Sequence, residues 1–203
     1  CLAIAIAIFN QLTGINSFLQ YAPLILKNAG ISSNVVSMLG SVGIGVLNFI
    51  ATVVAIALID TLGRRPLLLV GVAGVMLSEC YLGLITYMHF TPETTGVLSM
   101  LGLFGFIIFF AIGPGVVVWL AISELFPTRV RGKGMALCLF FNSLASTLLA
   151  TFFLPLSHAL GMSQTYGLFA MFTAAYFLLT LYLLPETKTK SLEEIQFEFE
   201  QRV

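Results

Sequence analysis

Gln11-Leu12-Thr13-Gly14-Ile15-Asn16 places two carboxamides and a hydroxyl in the middle of an apolar run from Leu2 to Leu26. Carboxamides and hydroxyls offer donors and acceptors without charge. Gathered on one surface, they suit a neutral polyhydroxy ligand better than an ion. The run is long enough to cross a bilayer. Polar groups at its midpoint are costly in hydrocarbon and are expected to face a protein interior or a wet cavity. Gly14 weakens the helix where they sit. A polar, interruptible centre in a spanning helix points to a route for a polar solute.

Other residues share that chemistry. Read as one continuous helix, the run puts Asn10, Thr13, Asn16, Ser17, Gln20 and Tyr21 within an arc of about 140°. Gln11 falls outside the arc, about 100° from Asn10 on its other side, and local unwinding at Gly14 would bring it round. Asn48 lies midway along a second apolar stretch and Asn142 inside a fifth. Each could line the same cavity or hydrogen-bond one helix to another. Glu79 stands deep in the third stretch, between Ser78 and Cys80. An ionisable group at that depth is a functional candidate by default. It could carry a proton, or be held by Ser78 and Tyr81 as a structural residue; the structural role is the expectation.

The elements that must position these groups are membrane helices. The chain is 59% hydrophobic and 9% charged, with a mean hydropathy of +1.03, which places it in the membrane class. Six apolar stretches can be counted, roughly Leu2–Leu26, Val35–Ile59, Leu67–Met88, Val97–Ile122, Met135–Leu156 and Tyr166–Leu184. They are continuously apolar, without the polar alternation of barrel strands, so helices are expected. Of the nine basic residues, only Lys27 lies in an odd-numbered connection. Arg64, Arg65, Arg129, Arg131, Lys133, Lys188, Lys190 and Arg202 share the other face, which the positive-inside rule makes cytoplasmic. Both ends of the chain are then expected in the cytoplasm of a plasma or bacterial inner membrane. The bundle is expected over 1–185. A cytoplasmic tail over 186–203 should hold a short amphipathic helix, since Ser191 and Glu194 resemble a capping box and Leu192, Ile195 and Phe199 repeat at helical spacing.

Several functions are disfavoured. A net charge of zero gives a nucleic-acid partner no support. Cys1, Cys80 and Cys138 match neither a metal site nor a disulfide framework, and no metal or cofactor is expected. His89 and His158 sit at loop ends. HExxH, GxSxG and a Ser/His/Asp set on one face are all lacking, so an enzyme is not expected. The opening at Cys1, without a basic leader, reads as part of a longer protein rather than a signal peptide.

The first and fourth stretches are both interrupted, at Thr13-Gly14 and at Gly113-Pro114-Gly115. If the six helices divide three plus three, these open each half. Breaks at matching positions of two repeats are the best sequence pointer to a transporter's binding site.

These residues resemble the sugar porter family of the major facilitator superfamily, in its C-terminal six-helix half. Gln11-Leu12-Thr13-Gly14-Ile15-Asn16 is similar to the family's sugar motif, with Asn10 where a first Gln is usual. Asp60-Thr61-Leu62-Gly63-Arg64-Arg65 resembles its acidic-Gly-Arg-Arg loop. Gly113-Pro114-Gly115 with Trp119 resembles its broken helix, with Val116 in place of a Pro. Glu124 through Gly132 resembles its Glu…Arg loop, and Pro185-Glu186-Thr187-Lys188 its closing signature. Ala111 stands where many animal members carry a Glu, Ser143 where an aromatic is common and Thr189 where a Gly is usual.

The resemblance implies an all-α membrane fold of two three-helix inverted repeats, paired with an N-terminal six-helix half. It implies a hexose or pentose held at the midplane and moved by alternating access, with proton symport the leading form. A facilitative uniporter and a non-transporting sensor are the alternatives. It nominates Gln11, Asn16, Asn48 and Asn142 for sugar hydroxyls and Trp119 for the sugar's apolar face, although an interfacial anchor would use Trp119 as well; the polar arc adds Asn10 and Tyr21 to the candidate binding residues. Asp60 with Arg64 or Arg65, and Glu124 with Arg131, are implied as a latch for the outward-facing state. A coupling carboxylate is implied in the other half.

Overall fold

The computed structural model describes residues 2–28, 34–88 and 90–184. His89 and the tail expected over 186–203 lie outside the described residues. Among the described residues every regular element is a helix: α1 (Leu2–Leu12), α2 (Ile15–Asn28), α3 (Asn34–Leu62), α4 (Arg64–Tyr87), α5 (Pro92–Phe110), a π-helical segment (Ala111–Gly115), α6 (Val117–Glu124), α7 (Arg131–Leu160) and α8 (Met162–Leu183). Among the described residues six stretches are long and apolar enough to cross a membrane. The first combines α1 with part of α2, and the fourth runs from α5 through the π-helical segment into α6. The all-helical, six-span architecture expected from hydropathy is the one observed. The helices overrun their apolar windows, since helical structure continues past the hydrocarbon into the interface. Arg131 and Lys133 therefore stand in the first turn of α7 rather than in a connection.

The connection from α3 to α4 is a single residue. Gly63 has φ 91°, a left-handed conformation that costs a side chain dearly and glycine little. The chain thus reverses within one residue and sets Asp60 and Arg64 on adjoining helix ends.

Two apolar layers hold the bundle. One, at the end bearing Arg64 and Glu124, joins Ile6 and Ala7 of α1 to Leu68, Val72, Val118, Ile122 and Tyr176. The other, toward the opposite end, centres on Phe18 and joins Val75, Leu82, Phe106, Phe153 and Phe169. Phe18 meets Phe106 edge-on at a centroid distance of 4.8 Å, and Phe169 at 5.3 Å. Each such aromatic pair contributes about 0.5–1.5 kcal/mol beyond area. Both helix interruptions fall between the two layers.

In lipid, apolar burial drives little association, so close approach of small residues matters more. A Cβ on Gly71 of α4 would lie 2.5 Å from the Gly113 Cα. Backbone therefore touches backbone where the π-helical segment crosses α4. The outer surface is apolar: Phe49, Val70, Leu77, Tyr87, Phe140 and Met171 are among its exposed side chains. Such a surface is a liability in water and the expected one in a bilayer.

Candidate functional site

The first span is broken by its own chemistry. Leu12 ends α1. The Thr13 hydroxyl donates to the Asn10 carbonyl at 2.7 Å, Gly14 takes φ 77°, and α2 restarts at Ile15. Asn10 and Asn16 lie either side of this break. In an unbroken helix Gln11 and Asn16, five residues apart, would diverge by about 140°. Across the break the Asn16 Nδ2 donates to the Gln11 Oε1 at 2.9 Å. Gln11 thereby joins the polar face from which a continuous helix would have excluded it. Thr13 and Ser17 go the other way and are fully buried in packing.

The fourth span responds differently to its Gly-Pro-Gly. Pro114 has no N–H and its ring crowds the carbonyl four residues back. The helix does not stop but widens into π geometry over Ala111–Gly115, as such local insertions do. It then tightens again, with the Val116 N–H donating to the Gly113 carbonyl. Gly115 and Val116 are left facing the break in the first span.

Between the two breaks lies a cavity of about 270 Å³. Asn10, Gln11, Asn16, Asn48 and Trp119 all line it. Its carboxamides come from α1, α2 and α3, and its indole from α6. The Asn10 Oδ1 is buried and has no protein hydrogen-bond partner. Both donors of Asn16 are directed at protein acceptors, the Gln11 Oε1 and the Ser146 hydroxyl. Thr52 lines the cavity too. The sequence reading missed it, although it stands one helical turn from Asn48, the spacing that shares a face.

Tyr21 and Asn142 lie elsewhere. Tyr21 lines a second, neighbouring cavity with Asn16 and Ser146. Its hydroxyl donates to the Ala150 carbonyl at 3.3 Å and its ring stacks on Phe153 at 5.1 Å. Asn142 is 9% exposed, with a buried, unpartnered Oδ1. It stands one turn from Ser146, whose hydroxyl accepts from the Asn16 Nδ2 at 2.7 Å. Ser146 was also missed. Its signal was the same four-residue step, here from Asn142.

At the charged end the expected pairings are rearranged. The Arg64 Nε donates to the Glu124 Oε1 at 3.3 Å, so Glu124 is held by Arg64 rather than by Arg131. The physical reason is placement. Arg64 opens α4 and Glu124 closes α6, so each charge opposes its own helix dipole, and the pair offsets both. Arg131, in the first turn of α7, has a buried Nε and Nη2 without hydrogen-bond partners. Arg64 also approaches Asp60 at 3.9 Å, but Asp60 is 82% exposed, and such pairs contribute little. The Arg65 Nη2 donates to the Leu181 carbonyl at 2.6 Å, satisfying an end carbonyl of α8.

Glu79 is fully buried. The expected partners are not the ones it meets. The Ser78 hydroxyl donates to the Gly74 carbonyl at 2.9 Å, and Tyr81 points outward. The residue turned toward Glu79 is Thr173 of α8. Neither carboxylate oxygen, nor the Thr173 hydroxyl, meets hydrogen-bond geometry with any group.

Known proteins share this arrangement of helices. The profile of the family described as "Sugar (and other) transporter" matches residues 1–199. The "Probable metabolite transport protein CsbC" of Bacillus subtilis is 34% identical over 201 residues, 99% of this chain and 43% of its own length. The "D-xylose-proton symporter-like 2" of Arabidopsis thaliana is 37% identical over 191 residues, 94% of this chain and 37% of its own. A solved structure of the major facilitator superfamily proton:xylose symporter XylE, bound to 6-bromo-6-deoxy-D-glucose, superposes with a TM-score of 0.84 at 30% identity, over 97% of this chain and 42% of that one. The chain thus spans about two fifths of the length of these relatives, one half of such a transporter. The breaks, the carboxamide-lined cavity and the paired charges stand on a shared fold, and the chain belongs to the sugar porter family of the major facilitator superfamily.

Proposed function

We propose that this chain is the C-terminal half of a secondary transporter that moves a hexose or pentose across the membrane by alternating access, in symport with protons. One observation carries the reading: Asn10, Gln11, Asn16, Asn48 and Trp119, from four helices, line one cavity at the breaks of two spans. Neutral carboxamides match sugar hydroxyls in both donor and acceptor roles. An aromatic ring suits the apolar C–H face of a sugar, and a pocket of few polar groups on an apolar frame fixes orientation. The relatives' names, a probable metabolite transport protein and a D-xylose-proton symporter-like protein, support the same class. The partners of this reading are the sugar, protons, the bilayer and a preceding six-helix half. Arg64, Glu124, Asp60, Arg65 and Arg131 serve as the latch at the cytoplasmic end.

The test is transport by the complete protein in proteoliposomes. Labelled xylose and glucose should accumulate under an inward proton gradient, and a protonophore should abolish the accumulation. Sugar exchange without accumulation would make the protein a uniporter. No sugar-dependent flux of either kind would overturn the transport reading.

A further inference from the structure

We infer that the interface of α4 and α8 holds a buried water site centred on Glu79, in which water bridges the carboxyl group to the hydroxyls of Thr173 and Tyr176 and continues toward Thr180. The two helices run antiparallel and are bonded directly at both ends. The Ser163 hydroxyl donates to the Gly83 carbonyl at 2.8 Å, and the Arg65 Nη2 to the Leu181 carbonyl. Glu79 lies between these ends on α4. Thr173, Tyr176 and Thr180 follow one another on α8 at helical steps that place them on one face. All four side chains are fully buried. Both oxygens of Glu79 and the hydroxyl of each of the other three lack a hydrogen-bond partner.

The threonines show that this seam is set apart. A threonine within a helix ordinarily donates its proton to the carbonyl four residues back. Thr86, Thr147, Thr151 and Thr165 all do so, at 2.7 to 2.9 Å. Thr173 and Thr180 stand in the same helical setting, yet neither hydroxyl makes that bond. Their protons are available to something between the helices. Buried hydroxyl and carboxyl groups without partners are costly, and most of all within a bilayer. An ion pair does not meet the need, because α8 and α1, which pack together around Tyr176, carry no charged residue. Water both donates and accepts, and a buried water ordinarily makes about three hydrogen bonds. It bridges polar groups whose direct geometry fails, as it does between Glu79 and Thr173. From Thr173 to Thr180 the helix rises about 10 Å, so more than one water is required.

The experiment is X-ray radiolysis of the purified full-length protein, read by mass spectrometry. Radiolysis turns bound water into hydroxyl radical, which oxidises the side chains it touches. Tyr176 and Phe106 are both fully shielded from bulk solvent, and both rings are reactive toward the radical. Phe106 packs against the rings of Phe18 and Phe110 and serves as the dry control. Tyr176 should be oxidised and Phe106 spared. Glu79→Leu should bring Tyr176 oxidation down to the level of Phe106, and Thr173→Val should lower it. Glu79→Gln should retain it, because a carboxamide still holds water. Phe106 staying unoxidised reports that each variant is folded; if Glu79→Leu fails that check, Thr173→Val decides. Tyr176 oxidised no more than Phe106 in the wild type, or oxidation unchanged in the folded variants, would overturn the water site. The transport reading stands in either case.

Discussion

Gln11 and Asn16 hold each other at 2.9 Å across a break that neither would span in a regular helix. Removing either leaves a polar partner short of a bond and removes a contact to the guest. An unpaired buried group costs about 1–3 kcal/mol. In the full-length protein Gln11→Ala or Asn16→Ala should therefore weaken sugar binding by about one to two orders of magnitude, with expression unchanged. Equilibrium binding to purified variants checks this, and unchanged affinity in both would return these residues to packing. Glu79 belongs to the same scale. It is buried away from the cavity, between α4 and α8, facing Thr173. Glu79→Gln keeps its shape and hydrogen-bonding capacity without a titratable proton, so most sugar transport should survive. Uptake against pH in proteoliposomes measures it. Loss of accumulation with exchange preserved would make Glu79 a coupling residue instead.

At the scale of elements, the Arg64–Glu124 bond ties the start of α4 to the end of α6, both side chains being 18% exposed. A bond at helix ends, outside the lining of the cavity, bears on state rather than on substrate contact. Glu124→Gln or Arg64→Ala should shift the protein toward the inward-facing state and impair transport while leaving measurable sugar binding. A cysteine placed in the cytoplasmic cavity should then react faster with a thiol reagent; a slower or unchanged rate would remove the latch. This pairing shows what the sequence could and could not disclose. Hydropathy exposed six spans because bilayer thickness imposes a length, and Gly14 and Gly113-Pro114-Gly115 marked the interrupted ones. Which charge meets Glu124 depends on how helix ends converge in space, and no periodicity along one chain encodes that. Likewise Gln11 stood outside the polar arc as long as α1 and α2 were taken as one helix. Thr52 and Ser146 could have been found by stepping four residues from Asn48 and Asn142.

For the molecule as a whole, the split of basic residues assigns a direction that helix packing alone does not. Thr61 and Thr94 are exposed and lie at opposite ends of the bundle. Single cysteines at these positions, in a full-length background freed of other cysteines, should separate on intact cells. An impermeant thiol reagent should label position 94 and spare position 61, placing Arg64 and Arg131 in the cytoplasm. Labelling at position 61 would invert the topology. The exposed apolar belt carries a second whole-molecule consequence. It leaves polar groups such as Asn16, Thr147 and Thr151 gathered around one groove system, the side on which a second half would close the pathway.

The π-helical segment has the character of a spelling device. A π turn holds one residue more than an α turn, and each residue advances a helix by about 100°. Everything after Gly115 is therefore turned relative to α5 by that surplus. Losing the Gly115 codon would let α5 and α6 join in ordinary α phase with Trp119 aimed as before, because the extra residue and the extra turn leave together. Straightening the π turn with every residue kept would instead swing Trp119 by about 100°, out of the cavity. Descent within this fold can thus re-aim its aromatic wall by gaining or losing the π turn at constant length, a route that comparing residue identities alone would overlook.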